Sequence, residues 1–94
     1  MRDDEFEWDD RKAAQNVAKH KISFALARLA FDDPHSIERP DDSQVYDEDR
    51  MELLGFVKGR LLHVTFVYRN DRIRIVSARG AEAHEQRRYH EEKG

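Results

Sequence analysis

An α+β fold, with two helices before a small antiparallel β-sheet and one helix after it, is what this sequence predicts. Three observations carry that expectation. Apolar residues recur at helical spacing between residues 11 and 31, alternation and turn pairs dominate from Met51 to Arg79, and a polar, helix-forming run closes the chain. The 94 residues suit a single domain, 1–94, with no repeat and no linker.

Phe6 and Trp8 alternate with Glu5, Glu7 and Asp9, which predicts a short first strand with one buried face. Asp9 or Asp10 then caps a helix over Arg11–His20. Its expected apolar stripe is Ala13, Ala14, Val17 and Ala18, with Lys12, Asn16 and Lys19 turned outward. Lys21 stands where a helix commonly ends in glycine, and a left-handed lysine there costs about 1 kcal/mol. Ser23 caps a second helix carrying Phe24, Ala27, Ala30 and Phe31, and Asp32-Asp33-Pro34 stops it. His35 to Asp49 is polar, with room for an edge strand near Ser36–Arg39 and a loop at Asp41-Asp42-Ser43.

The second half reads as strands Met51–Val57, Arg60–Arg69 and Arg72–Arg79, joined by the two-residue turns Lys58-Gly59 and Asn70-Asp71. Pairing counted from the second turn places Leu62, Val64, Phe66 and Tyr68 with Ile73, Ile75, Ser77 and Arg79 on one face. His63, Thr65, Val67 and Arg69 then share the other face with Arg72, Arg74, Val76 and Ala78. In that register Arg79 and Arg74 point to opposite sides, and only a bulge or the strand end brings them together. The last helix, Ala81 to Lys93, has little apolar content beyond Ala81, Ala83 and Tyr89, and is expected to dock loosely or to await a partner.

Composition narrows the class. Charged residues are 39 % and hydrophobic residues 38 %, against roughly 25 % and 45–50 % in an average domain. No cysteine is present, which excludes disulfides and thiolate metal sites. An apolar leader and a run near the ~20 residues of a membrane span are both absent, so a cytoplasmic location without membrane contact is expected. The net charge of −3 is unevenly spread: residues 1–50 carry 8 Lys/Arg against 14 Asp/Glu, and residues 51–94 carry 9 against 6. Between Lys58 and Gly80 stand Lys58, Arg60, Arg69, Arg72, Arg74 and Arg79 against the single anion Asp71. Such a local arginine-rich surface suits phosphate whatever the global sum.

An ordered set of short pieces resembles the BrnT toxin family. It comprises Phe6-Glu7-Trp8-Asp9 with Lys12, Asn16, Lys19-His20 and Ile22-Ser23-Phe24. Phe31-Asp32-Asp33-Pro34, Glu48-Asp49-Arg50, Gly55, the run Arg72 to Arg79, Glu85 and Tyr89 continue it. The resemblance implies a RelE-like toxin that cleaves RNA without a metal or cofactor, inhibits translation, and is neutralised by a DNA-binding antitoxin of the BrnA type. The chain departs from the family at Lys21, usually glycine, and at Ala25-Leu26, usually acidic.

Metal-free RNA cleavage needs a base for the 2′-hydroxyl, cations for the phosphorane and an acid for the leaving 5′-oxygen. Arg69, Arg74 and Arg79 suit the middle task, the alternative being solvated surface arginines. His20 ends a helix whose dipole favours a cationic ring, which suits an acid, or else it only terminates the helix. Lys12 offers a phosphate contact or a proton, or pairs with Asp9. Glu48 is the carboxylate candidate for the base, with Arg50 two residues on, or the two form a loop ion pair. Arg72 and Ser77 are candidates for binding RNA, and Tyr89 either stacks a base or anchors the last helix. Competing readings are a protein-interaction module that has lost catalysis and a nucleic-acid binder without it. No zinc-type spacing or glycine-rich phosphate loop occurs.

Overall fold

The computed structural model describes residues 1–41 and 49–93. In chain order these form β1 (Phe6–Glu7), α1 (Asp10–His20), α2 (Phe24–Ala27), a 3₁₀ turn (Arg28–Asp32), β2 (Ile37–Pro40), β3 (Met51–Val57), β4 (Arg60–Arg69), β5 (Arg72–Gly80) and α3 (Ala83–Lys93). One five-stranded sheet has the order β1-β5-β4-β3-β2. Strands β2 to β5 pair antiparallel, while β1 joins β5 in parallel, so the sheet is mixed and the fold is α+β.

Both tight turns demand left-handed backbone, and the sequence meets it differently at each. Lys58 (φ 51°) and Gly59 (φ 82°) close β3–β4, and Asn70 (φ 52°) and Asp71 (φ 62°) close β4–β5. Lys21 also adopts φ 62° and caps α1, its N–H donating to the Val17 carbonyl. The Asp9 side chain accepts from the Lys12 N–H at the other end of α1, and Ser23 accepts from Leu26 N–H at the start of α2.

The main core lies on one sheet face. Phe6, Trp8, Leu62, Val64, Phe66, Ile75 and Ala78 meet Ile22, Phe24, Ala27 and Ala30 there. Edge-to-face aromatic contacts run through it, Phe6 to Phe31 at 5.3 Å and Phe31 to Phe66 at 5.0 Å. Gly55 lets the 3₁₀ turn lie directly on β3, because a Cβ there would collide with the Ala30 carbonyl oxygen.

Three expectations are corrected. The inferred register holds from Arg69↔Arg72 to Phe66↔Ile75, then slips, so Thr65 faces Ser77 and His63 faces Arg79. Val76 is the extra residue of a β-bulge. Ala78, not Ser77 or Arg79, therefore enters the core, and Arg79 shares its face with Arg74.

The stripe assigned to α1 is also wrong in part. Val17 is 43 % exposed, whereas Asn16 is buried. The Asn16 amide nitrogen donates to the carbonyls of Ile22 and Ala78, both at 2.8 Å, and its oxygen accepts from the Ala78 N–H at 3.1 Å. Helical periodicity read an amide as a surface group because it could not see the backbone edge facing it.

The third correction concerns α3, which is firmly docked rather than loose. Tyr89 is 1 % exposed and joins Leu54 and Leu61 in a second cluster on the opposite sheet face. Its hydroxyl donates to Asp33 Oδ2 at 2.6 Å. Among the described residues no helix is long and apolar enough to cross a membrane.

Two substitutions test this packing by thermal or denaturant unfolding. Gly55→Ala lowers stability by about 1–3 kcal/mol, through overpacking against Ala30. Lys21→Gly raises it by about 0.5–1 kcal/mol, since glycine takes the left-handed cap without strain.

Candidate active site

The bulge decides where the second half of β5 sends its side chains. Beyond Arg74, β5 has no strand partner on its β1 side among the described residues, because β1 pairs only with Ile73 and Arg74. Helix α1 takes that edge, and Val76 and Ser77 open into a groove alongside it. Lys12, Gln15, Asn16, Lys19 and His20 of α1 line one wall, Val76 and Ser77 the other, and Arg50, just ahead of β3, closes the end. Its volume is about 290 Å³, and among the described residues no carboxylate lines it. Lys12 and Lys19 are exposed, and His20, Arg50 and Ser77 are half-buried. Lys12, His20, Arg50 and Ser77 were each nominated from sequence, and this groove brings them together.

A second cavity of about 410 Å³ adjoins the first and shares Arg50 and Ser77 with it. Its lining balances Arg39, Arg50, Arg79 and Arg88 against Asp41, Glu52, Glu82 and Glu85, with His63 and His84 beside them. The charges here are locked together. Arg79 makes a bidentate pair with Glu85, at 2.8 and 3.0 Å. Glu85 also accepts from the Glu82 N–H at 2.8 Å, which caps α3 from within, and lies 3.6 Å from His63 Nε2. Glu52 gathers Arg39 at 2.7 Å, Arg88 at 3.0 Å and His63 at 3.1 Å.

These contacts set the carboxylates' acidity. Burial pushes the Glu85 carboxyl up, but the Arg79 guanidinium, the Glu82 N–H and His63 outweigh it and hold the group at about 2. Burial likewise opposes ionisation of Glu52, and hydrogen bonds to His63 and Arg39 win, leaving it below the usual carboxylate range. Glu85 holds the Arg79 guanidinium above its ordinary value. Burial, then the Asp33 carboxylate, push the Tyr89 hydroxyl up to about 12.

The remaining nominees sort cleanly. Arg69, Arg72 and Arg74 lie on the same sheet face as Ser77 and Arg79, but line neither cavity. Arg74 is tied to Glu7 at 2.6 Å, and Arg72 Nε donates to the Asp3 carbonyl at 2.7 Å. Tyr89 has no ring face open to a nucleobase, so the anchoring alternative is the one its burial supports. Glu48 lies outside the described residues. Glu52, His63 and Arg88 were not nominated as site residues from sequence, and Glu85 entered only as one of the residues that carry the family resemblance. A histidine in the alternation Leu61-His63-Thr65-Val67, facing a glutamate in β3, was the only available sign of the first two. Among the described residues, Glu82, His84 and Glu85 bring ligand atoms within 4.8 Å of one another, yet Glu85 is already committed to Arg79.

A small α+β module with a cation-walled groove at the open edge of its sheet is the class these features define. Residues 8–85 match the family model for the ribonuclease toxin BrnT of type II toxin–antitoxin systems, and the chain belongs to that family. It is thus a ribonuclease toxin whose kind of system pairs it with an antitoxin protein. No curated protein matches the chain.

Acid titration checks the Glu85 network. A carboxyl at about 2 in the fold and near 4.5 when unfolded stabilises the fold fully above pH 4.5, and that stabilisation drains away as the pH falls toward 2. Unfolding free energy measured from pH 7 to pH 2 falls steeply across this window in the wild type. Glu85→Gln is less stable at pH 7 and shows a flatter slope there.

Proposed function

We propose that this protein is a metal-independent endoribonuclease that inhibits translation, that it cleaves RNA in the α1 groove, and that a DNA-binding antitoxin of the BrnA type neutralises it. The observation that carries this reading is the convergence of Lys12, His20, Arg50 and Ser77 on one concavity whose described lining is basic and polar. An anionic backbone is attracted there, whereas the neighbouring cavity offsets each cation with a carboxylate.

Lys12, Lys19 and Arg50 neutralise the phosphorane, with the Ser77 hydroxyl orienting one of its oxygens. His20 donates the proton to the leaving 5′-oxygen. The base is assigned to Glu48 on sequence grounds alone, two residues before Arg50. Lysine, arginine and histidine side chains thereby cover the charge neutralisation and proton transfer that a metal ion supplies in other nucleases. Arg69, Arg72 and Arg74 continue the same sheet face and are assigned to RNA backbone beyond the cleaved bond, while Arg79 borders the path into the second cavity.

Purified protein incubated with an RNA oligonucleotide and a chelator yields fragments ending in a 2′,3′-cyclic phosphate. His20→Ala lowers kcat by about 10²–10⁴-fold and Arg50→Ala by about 10²–10³-fold, with circular dichroism unchanged. Full activity in both variants overturns the site, and loss of activity on chelation overturns the metal-free mechanism. Growth arrest on induction, relieved by co-expression of the adjacent reading frame, is the expected sign of the antitoxin.

A further inference from the structure

We infer that the cavity beside the cleavage groove is a nucleobase subsite that selects guanine, with Glu82 as the residue that reads the base. The inference rests on the α1 groove holding the phosphate, since the two concavities meet at Arg50 and Ser77. A phosphate gripped by Arg50 leaves its own nucleoside a short reach from the adjoining space. At about 410 Å³ that space is ample for one base.

Its chemistry excludes a second phosphate. Among the described residues four carboxylates line it beside four arginines, and their repulsion of an anion opposes the arginines' attraction. Alternating donors and acceptors instead suit a neutral, polar, planar group. Of the four RNA bases, only guanine presents two adjacent donors, N1–H and the N2 amino group, that a single carboxylate accepts together. Adenine, cytosine and uracil each place an acceptor beside their donor and meet a carboxylate with repulsion.

The acceptor must also be available. Glu85 and Glu52 are spent on Arg79, Arg88, Arg39 and His63. Glu82 is different: its side chain is 64 % exposed at the cavity mouth, and the basic groups nearest it among the described residues, Arg79 and His84, stand 4.0 Å away, beyond hydrogen-bond distance. The His84 ring, 62 % exposed, offers a stacking surface at the same mouth. Arg79 lines the cavity, is 31 % exposed and is held by its bidentate pair and the Gly80 carbonyl, which leaves an Nη2 hydrogen to offer the guanine O6. Glu85 is thus the positioning residue and Glu82 the reading residue.

Binding of the four nucleoside 3′-monophosphates, followed by isothermal calorimetry and by NMR of the His84 and Ser77 resonances, tests this without requiring cleavage. Guanosine 3′-monophosphate is expected to bind roughly tenfold tighter than the other three. Glu82→Gln, at an exposed position, folds normally and brings its affinity down to that of adenosine 3′-monophosphate. Equal affinity for all four nucleotides, or a preference untouched by Glu82→Gln, overturns the inference. Inorganic phosphate and Arg50→Ala report separately on the groove. If phosphate shifts no α1 or Ser77 resonance and Arg50→Ala leaves every affinity unchanged, the groove assignment falls, and the subsite that depends on it falls with it.

Discussion

The carboxamide of Asn16 occupies the place of a missing strand. Strand β5 loses its β1 neighbour after Arg74, and its edge would otherwise leave the Ala78 N–H and C=O unpaired inside the protein. One side chain satisfies both, and its second amide hydrogen reaches the Ile22 carbonyl on the link between α1 and α2. Helix α1, the α1–α2 link and the bulged strand are thereby fixed to each other by a single residue. An amide suits the post because it carries donor and acceptor in the same spacing as a peptide group.

That clamp sits two residues from the bulge, and the bulge is what turns a sheet into a site. Without the extra residue at Val76, the alternation of β5 would drive Arg79 into the apolar core and leave Ala78 on the polar face. With it, Ser77 and Arg79 join Arg74 on one side while Ala78 packs against the helices. Bulges commonly re-aim side chains beside functional sites. Here the redirected residues lie beside the strand edge that short β1 leaves open and α1 fills, so the bulge and the groove adjoin.

Two concavities with opposite electrostatic character result. In the α1 groove the described lining carries Lys12, Lys19 and Arg50 and no carboxylate, a composition that favours a polyanion. In the neighbouring cavity Glu85 and Glu52 neutralise the arginines and make them rigid, a state that costs desolvation but fixes donor directions. Arginines alike in sequence therefore differ in role: Arg50 lines both spaces, Arg79 is a fixed donor, and Arg74 braces Glu7 on the edge strand. The family's ribonuclease activity is consistent with the first of these environments.

By itself the sequence determined everything that depends on near neighbours along the chain. The caps at Asp9 and Ser23, the two tight turns, the left-handed Lys21 and the strand boundaries are set by local backbone preference and side-chain spacing, and all are legible in the residues. The ordered family motifs likewise named the class, and Lys12, His20, Arg50 and Ser77 were nominated before they were seen to meet. Tertiary structure alone decided the rest. A bulge has no local signature in Ile75-Val76-Ser77, because it is chosen by how β5 must fit both β4 and α1. Asn16 is indistinguishable in sequence from a surface residue, and for Tyr89 the sequence left stacking and anchoring both open, since their burial depends on partners 62 and 56 residues away. The pairing of Arg79 with Glu85 rather than with solvent follows from the docking of α3, a long-range event driven by one buried tyrosine and two leucines. Periodicity records which residues share a face, but only packing decides what that face meets.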